Sequence, residues 1–460
     1  MITKGKLKNM AESFARSTHA HLRGVFGAWT QLPDDFGAPK RKRLFSPETT
    51  FWLFLGQVLG RQVSCREVVR AFLAQLLAQQ GRTASQNSAA YCKARARLDL
   101  GELKQTSQRI VDKVLEETAD WKWLGRRVMV ADGSGLSMPD TPENQRVWPQ
   151  PQRLQAGCSF PVMRIVALFS LSAGVMIDLA HGALAVSEQA LMRSLWPWLE
   201  DMDVLLADRG FGSYAELILL SRRGVDCVVR KNARRKNAGV LRRINANDRI
   251  VLWRKSAVRP KWMDPKIWEA MPNTMAVREV TVHVDQPGFR TDVISVITTL
   301  LDDKAYPAHE ITKLYQRRWM VELYLRDIKT SMGMDVFSCK SPAMVELELW
   351  TYVIAYNLIR AVMADAALAH ECDVGEISFM GTISTLRQWG PIMAGPGVSV
   401  EGRIAMYDAM LYYIVKDRLR QRPGRMEPRA KKRRPKNYQL LNKPRSEFRE
   451  VRHRNKYKKA

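Results

Sequence analysis

The chain has 460 residues, enough for about three domains that each bury a core, and it carries 73 Lys and Arg against 46 Asp and Glu, a net charge of +27. With 46% hydrophobic residues and a mean hydropathy of −0.27, it is too apolar for a disordered basic tail and too long for a disulfide-stapled miniature. Charge far beyond the needs of solubility, on a chain that folds, points to a polyanionic partner.

The six cysteines, Cys65, Cys92, Cys158, Cys227, Cys339 and Cys372, form no CxxC pair and have no His at zinc-ligand spacing, as expected of reduced thiols in a cytosolic protein. The most apolar stretch, Val162 to Ala180, alternates like strands and is interrupted by Arg164, Gly174 and Asp178, so it fails as a membrane span. The opening residues, MITKGKLKNMAESFAR, lack the apolar core of a secretory signal. A cytoplasmic location without a membrane partner is expected.

Residues 1 to 125 read as helices joined by short turns. Ser46 before Pro47 and the run ETTFWLFLGQVLG supply a hydroxyl cap, a first-position proline and an early acid. Ser64 and Glu67 make a capping box for REVVRAFLAQLLAQ. After Gly81, the segment SQNSAAYCKARARL begins with polar Ser85, Gln86 and Asn87 and carries Lys93, Arg95 and Arg97, the pattern of a recognition helix in a helix-turn-helix-like unit. A solvated basic face on an ordinary bundle would look the same.

From residue 126 the periodicity changes. RRVMVADGS, RIVALFSLS and GVMIDLAHG predict a three-stranded meander, a helix follows Ser187 through SEQALMRSLWPWLE, and DVLLADRGF repeats an apolar strand ending in an acid. A further helix, SYAELILLSRRG, and a strand, VDCVVR, give three strands, helix, strand, helix, strand, an α/β layout. Residues 231 to 305 shift to a basic run and strand-like DRIVLWRK, AVREVTVHV and DVISVITTLL, read as a β-rich insertion. Helices return from Pro307, and from Lys416 to Ala460 there are 19 Lys and Arg against four acids, +15 of the total charge.

Asp132 and Asp208 each end an apolar strand and precede a glycine-containing turn, Asp132-Gly133-Ser134 and Asp208-Arg209-Gly210. Strand ends form the rim where open α/β sheets bind ligands, and two carboxylates brought together there are relieved by a divalent cation. A lone Asp at such a place is more often a turn former. In ITKLYQRRWMVELYLRDIKT, Tyr315, Arg318, Glu322 and Lys329 fall at offsets 0, 3, 7 and 14. On a continuous helix at about 100° per residue these lie near 0°, −60°, −20° and −40°, one narrow stripe beside a packing face of Leu314, Val321, Leu325 and Ile328. A solvent face with intrahelical ion pairs would explain the charges but not the spacing.

With these residues in place, the sequence resembles the DDE transposases of bacterial insertion sequences, specifically the branch called insertion sequence family four. Tyr315, Arg318, Glu322 and Lys329 match that branch's tyrosine, arginine, glutamate and lysine signature, and Arg317 to Trp319 match the RRW within it. Asp132 in VMVADGS and Asp208 in LLADRGF match the two strand-end aspartates. The resemblance covers most of residues 126 to 340.

The resemblance implies an α/β protein with an RNase H-like catalytic core over 126–340, interrupted by the β-rich insertion at 231–305. A helical DNA-binding domain over 1–125 precedes it, and a helical region over 341–415 for dimerisation and a basic DNA-binding tail over 416–460 follow. It implies metal-dependent cut-and-paste transposition, in which Asp132, Asp208 and Glu322 hold two Mg²⁺ ions, with Mn²⁺ as a substitute, for hydrolysis at transposon ends and transfer of a 3′-hydroxyl to target DNA. Tyr315, Arg318 and Lys329 would contact phosphates near the scissile bond, Lys93, Arg95 and Arg97 the end duplex, and Lys431, Lys432, Arg433 and Arg434 of the tail the DNA backbone. In similar enzymes a tryptophan of the insertion stacks on a flipped base, for which Trp253, Trp262 and Trp268 are candidates. The partners would be double-stranded DNA and a second copy of the chain in a synaptic complex, near the bacterial nucleoid. A metal-dependent endonuclease or resolvase would share the acids, and a catalytically decayed DNA-binding protein would share the basic surface.

Overall fold

The computed structural model describes residues 20–34, 36–37, 43–60, 63–283, 293–395, 397–419 and 441–448. Among these, five helices precede the first strand: α1 (Ala20–Thr30), α2 (Pro47–Leu59), α3 (Cys65–Gln80), α4 (Ala89–Arg95) and α5 (Leu100–Glu117). Their starts follow local chemistry. Ser46 Oγ accepts from Thr49 N–H at 3.1 Å, Ser64 Oγ from Glu67 N–H at 3.2 Å and Asp99 Oδ1 from Glu102 N–H at 2.9 Å. Gly81, in the left-handed conformation at φ 64°, ends α3.

The strands β1 (Val128–Ser137), β2 (Val162–Ser170) and β3 (Met176–Ala183) follow as antiparallel neighbours, with α6 (Pro142–Val147) between the first two. Helix α7 (Glu188–Leu195) then leads to β4 (Val204–Ala207), and α8 (Tyr214–Ser221) leads to β5 (Asp226–Arg230). Both of these strands add in parallel, β4 on β1 and β5 on β4. Parallel addition requires a crossover, and α7 and α8 provide it. All four residues of β4 are buried, as a central strand covered on both faces should be.

Residues 231–305 contain β6 (Gly239–Asn245), β7 (Asp248–Arg254), α9 (Pro265–Glu269), β8 (Thr274–His283) and β9 (Val293–Thr298). These strands extend the same sheet, because β9 pairs with β5. The order across the described sheet is β3-β2-β1-β4-β5-β9-β8-β7-β6. β6 closes one edge, almost wholly exposed and carrying Arg242 and Arg243, charges that discourage edge-to-edge pairing.

After the sheet come α10 (Ala308–Arg317), α11 (Trp319–Arg326) and a π-helical turn over Asp327–Ser331. Three helices follow, α12 (Pro342–Ala369), α13 (Phe379–Met393) and α14 (Val400–Lys416). Helix α12 is long and apolar enough to cross a membrane, yet 89% of its most apolar window is buried inside the protein. It packs on α2 and α5 on one side and on α13 and α14 on another. One continuous buried cluster therefore runs from Val25 and Trp29 through the sheet to Ile414 and Val415, across the composition changes near 125 and 340. A smaller cluster, Phe45, Leu53, Val68, Val69, Phe72, Tyr91 and Ala94, joins α2, α3 and α4.

Polar contacts fix α12 against the sheet. The Asn357 amide pairs with the Met176 backbone as another peptide would, accepting from its N–H at 2.8 Å and donating to its carbonyl at 2.9 Å. Three residues on, buried Arg360 reaches Asp327 Oδ2 at 3.0 Å and Tyr356 Oη at 3.1 Å, so the π turn is anchored from below by a cation of α12.

Candidate active site

Of the two acids expected at strand ends, only Asp208 directly follows its strand; Asp132 lies inside β1, opposite Ala167, because pairing with β2 carries the strand on to Ser137. β1 and β4 pair in parallel from Val128 with Val204 to Val130 with Leu206, an offset of 76 (204 minus 128). Asp132 lies two residues past the last of these pairs on β1, and Asp208 directly follows the last residue of β4. Asp208 keeps an extended backbone at φ −77° and ψ 170°. Both side chains are half-buried. Asp132 Oδ1 accepts from the Gly133 N–H at 2.8 Å.

The third acid arrives on α11, which lies against β1. Arg318 occupies the joint between α10 and α11, and its Nη2 donates to Glu322 Oε1 at 2.9 Å. Tyr315, buried one turn earlier, contacts Arg318 and senses the charges of Asp208 and Arg230. The stripe predicted on one continuous helix is thus carried by two helices and a π turn, with the break at Arg318. Lys329 lies in that turn, where its Nζ donates to Ser134 Oγ at 2.6 Å and sits 3.2 Å from Asp335 Oδ1. The chain after the turn is tied to the end of β1 by Ser137 N–H to Asp335 O at 3.0 Å and Phe337 N–H to Ser137 O at 2.9 Å. Lys329 is therefore fixed beside the strand that bears Asp132.

Electrostatics bind these groups into one site. Burial raises the Asp132 carboxyl above its usual range; the Gly133 N–H and Arg318 oppose the shift, and Glu322 and Glu188 add to it. Burial works against the Arg318 charge, but Glu322, Tyr315 and Asp208 outweigh it and hold the guanidinium protonated. Burial raises the Tyr315 hydroxyl, keeping it a donor.

Among the described residues no three His, Cys, Asp or Glu side chains gather closely enough to hold a metal ion. The donor set nevertheless fits a hard divalent cation, since Asp132, Asp208 and Glu322 offer only carboxylate oxygens from three elements. Glu322 is instead paired with Arg318, in a partly exposed i,i+4 contact worth about 0.3–0.5 kcal/mol.

The remaining candidates lie elsewhere. On α4, Lys93 is exposed, and Arg97, just beyond the helix, is exposed too. Arg95 is buried, its guanidinium 4.7 Å from the Phe54 ring and 3.3 Å from Gln57 Oε1, so it faces the core of the helical layer. Lys431, Lys432, Arg433 and Arg434 lie outside the described residues. Of the three tryptophans, Trp253 is a core residue whose Nε1 donates to Asn237 at 3.2 Å, Trp268 is partly buried under Lys255, and Trp262 is 41% exposed with Arg193 4.1 Å from its ring.

Two groups at the site carry no signal of their own in the sequence. Ser134 is visible there only as part of a turn. Glu188, the first residue of α7, looks like an ordinary acid of a capped helix start.

Residues 123–358 match the family described as Transposase DDE domain. Transposase InsG for insertion sequence element IS4, of Escherichia coli, is 27% identical over 333 residues, covering 71% of this chain and 72% of that protein. Putative transposase InsZ of the same organism is 27% identical over 122 residues, 26% of this chain and 40% of that protein. The cryo-EM structure of the piggyBac transposase synaptic complex with hairpin DNA superposes over 89% of this chain and 81% of that one, with a TM-score of 0.41 and 8% identity.

Proposed function

The chain belongs to the transposase DDE domain family, and from that membership we propose that it performs cut-and-paste DNA transposition with Asp132, Asp208 and Glu322 as its catalytic acids. As a member it is a DNA-cleaving and strand-transferring enzyme. The observation that supports the assignment of the acids is the parallel pairing of β1, which bears Asp132, with β4, which Asp208 follows, while the helix bearing Glu322 lies on β1. The strand order β3-β2-β1-β4-β5, an antiparallel meander followed by two parallel additions, supports an RNase H-like core interrupted by the insertion at 231–305.

In this reading the three carboxylates hold two divalent cations, Mg²⁺ or Mn²⁺. When bound, such a pair activates a water or a 3′-hydroxyl for in-line attack and stabilises the leaving oxygen. The protein's own groups do the positioning. Arg318 exchanges Glu322 for a phosphate oxygen beside the scissile bond, and Tyr315 donates its hydroxyl to the same phosphate. Lys329, braced by Ser134 and Asp335, supplies a fixed positive charge on the far side of Asp132. Lys93 and Arg97 contact the end duplex, and the basic tail adds salt-sensitive backbone affinity. Two copies of the chain, each bringing one transposon end, form the synaptic complex on DNA in the bacterial cytoplasm.

The test replaces Asp132, Asp208 and Glu322 by alanine one at a time. Each variant should lose metal-dependent cleavage of end DNA while binding that DNA as the unaltered protein does at equal salt, because coordination and phosphate attraction are separate tasks. A variant that cuts normally removes that residue from the trio. Joining of the cleaved 3′-hydroxyl to target DNA separates a transposase from an endonuclease.

A further inference from the structure

Asp132 and Ser134 lie two residues apart on β1, opposite Ala167 and Ile165 of β2, so their side chains leave the same face of the strand. Gly133 between them faces the other way, where a Cβ would stand 2.6 Å from Glu188 Cδ on α7. The signature lysine lies on the face of Asp132, because Lys329 Nζ is 2.6 Å from Ser134 Oγ.

That bond decides where the serine proton goes. An ammonium group has donors and no acceptor, so Ser134 Oγ accepts from Lys329 and its own O–H points elsewhere. Ser134 is half-buried, and among the described residues its proton has no acceptor. Lys329 does not need the hydroxyl as a charge partner, since Asp335 Oδ1 lies 3.2 Å from its Nζ. A hydroxyl whose oxygen accepts from a cation is polarised, and donates more strongly through its remaining proton. β1 therefore presents a strengthened donor on the face that bears Asp132.

We propose that Ser134 contacts the substrate, donating its hydroxyl proton to a non-bridging oxygen of the scissile phosphate while its oxygen accepts from Lys329. The role rests on Asp132 being one of the catalytic acids, since a phosphate that reacts at Asp132 lies on the serine's face of β1. A phosphate oxygen carries negative charge and forms a charge-assisted bond with such a donor. Lys329 then acts on the phosphate through the serine as well as by its own charge.

The test is single-turnover cleavage of end DNA by the full-length protein, comparing the unaltered chain with Ser134→Ala, Ser134→Thr and Asp132→Ala. The scissile phosphate is all-oxygen, or carries sulfur in place of one or the other non-bridging oxygen. On all-oxygen DNA, Ser134→Ala should cut about 10- to 100-fold more slowly, the worth of a hydrogen bond to a charged group, with affinity for end DNA unchanged. Ser134→Thr keeps the hydroxyl and should recover most of the rate. Sulfur at the position facing Ser134 already weakens the bond, so there the loss in Ser134→Ala should shrink to about twofold, while on the other phosphorothioate it stays at its full size. An equal loss on both phosphorothioates would mean that Ser134 only holds Lys329, and a Ser134→Ala variant that cuts like the unaltered protein would remove it from the site. If Asp132→Ala also cuts normally, the catalytic site itself is misassigned, and the role of Ser134 fails with it.

Discussion

Replacing Arg360 by methionine removes a cation that lies 38 residues after Glu322 in sequence but pairs with Asp327, at the start of the π turn that carries Lys329. Arg360 and Asp327 side chains are 4% and 7% exposed and meet at 3.0 Å; the guanidinium also lies 4.6 Å from the Tyr324 ring and 5.2 Å from that of Phe379. Methionine fills much of the volume, so the cost is chiefly the carboxylate left behind. Breaking a buried pair by removing one partner costs about 3–5 kcal/mol. Arg326, 3.5 Å from Asp327 but half exposed, recovers a little and favours the lower end. Adding Asp327→Leu should restore most of the loss, because a buried pair replaced by apolar groups is often neutral. Urea unfolding followed by tryptophan fluorescence measures both. Cleavage of end DNA should fall in the single variant by about a hundredfold, since the π turn that starts at Asp327 sets Lys329 against Ser134 and a shift of about 1 Å has that effect. A stability loss below about 1 kcal/mol in Arg360→Met, the worth of an exposed pair, would refute the view that Arg360 anchors the turn.

Glu279 should make stability depend on pH. Burial alone would raise its carboxyl, but hydrogen bonds from Lys231 and Asn237 and the charges of Lys231 and Arg249 reverse this and hold it below its usual 4.5. Its contribution is therefore complete above that value and lost as pH falls through the depressed one, so the urea midpoint should drop as pH is taken below 4.5, and less so in Glu279→Gln. Removing the residues after Leu419 takes away most of the +15 carried from Lys416 onward. The slope of log K against log salt should become shallower by about 0.9 for each phosphate that the shortened chain no longer neutralises, and an unchanged slope would mean that the tail does not touch DNA.

The parts of the site legible in the sequence are those set by local pattern. An apolar run that stops at an acid before a glycine singles out Asp132 and Asp208 separately, but it marks a strand end only at Asp208, since pairing with β2 carries β1 past Asp132 to Ser137. The pairing of β1 with β4 is not legible in the sequence, because it depends on the length and packing of α7 and everything between. Arg95 shows the opposite failure. Spacing alone makes it one of three cations on a basic face, yet Gln57 and Phe54, which draw it inward, come from α2 some forty residues earlier. Helix α12 is invisible in the sequence as the central helix of the fold for a similar reason: a uniformly apolar helix announces burial but not against what.

The signature residues singled out by spacing are carried by a geometry that differs from the one the spacing assumes. Stepping about 100° per residue from Tyr315 to Lys329 presupposes an unbroken α-helix. The α-helix is instead interrupted at Arg318 and widens into a π turn at Asp327, which alters the phase. Tyr315, Arg318 and Glu322 lie close to the joint, so little phase error accumulates among them. Lys329 lies past the interruption and inside the π turn, and its position is set by tertiary contacts: Arg360 holds Asp327, while Asp335 and Phe337 pin the following segment to Ser137. π turns inside helices recur at functional sites because they re-aim one side chain without moving the rest of the helix. Here the re-aimed side chain is the lysine, which reaches Ser134 two residues past Asp132.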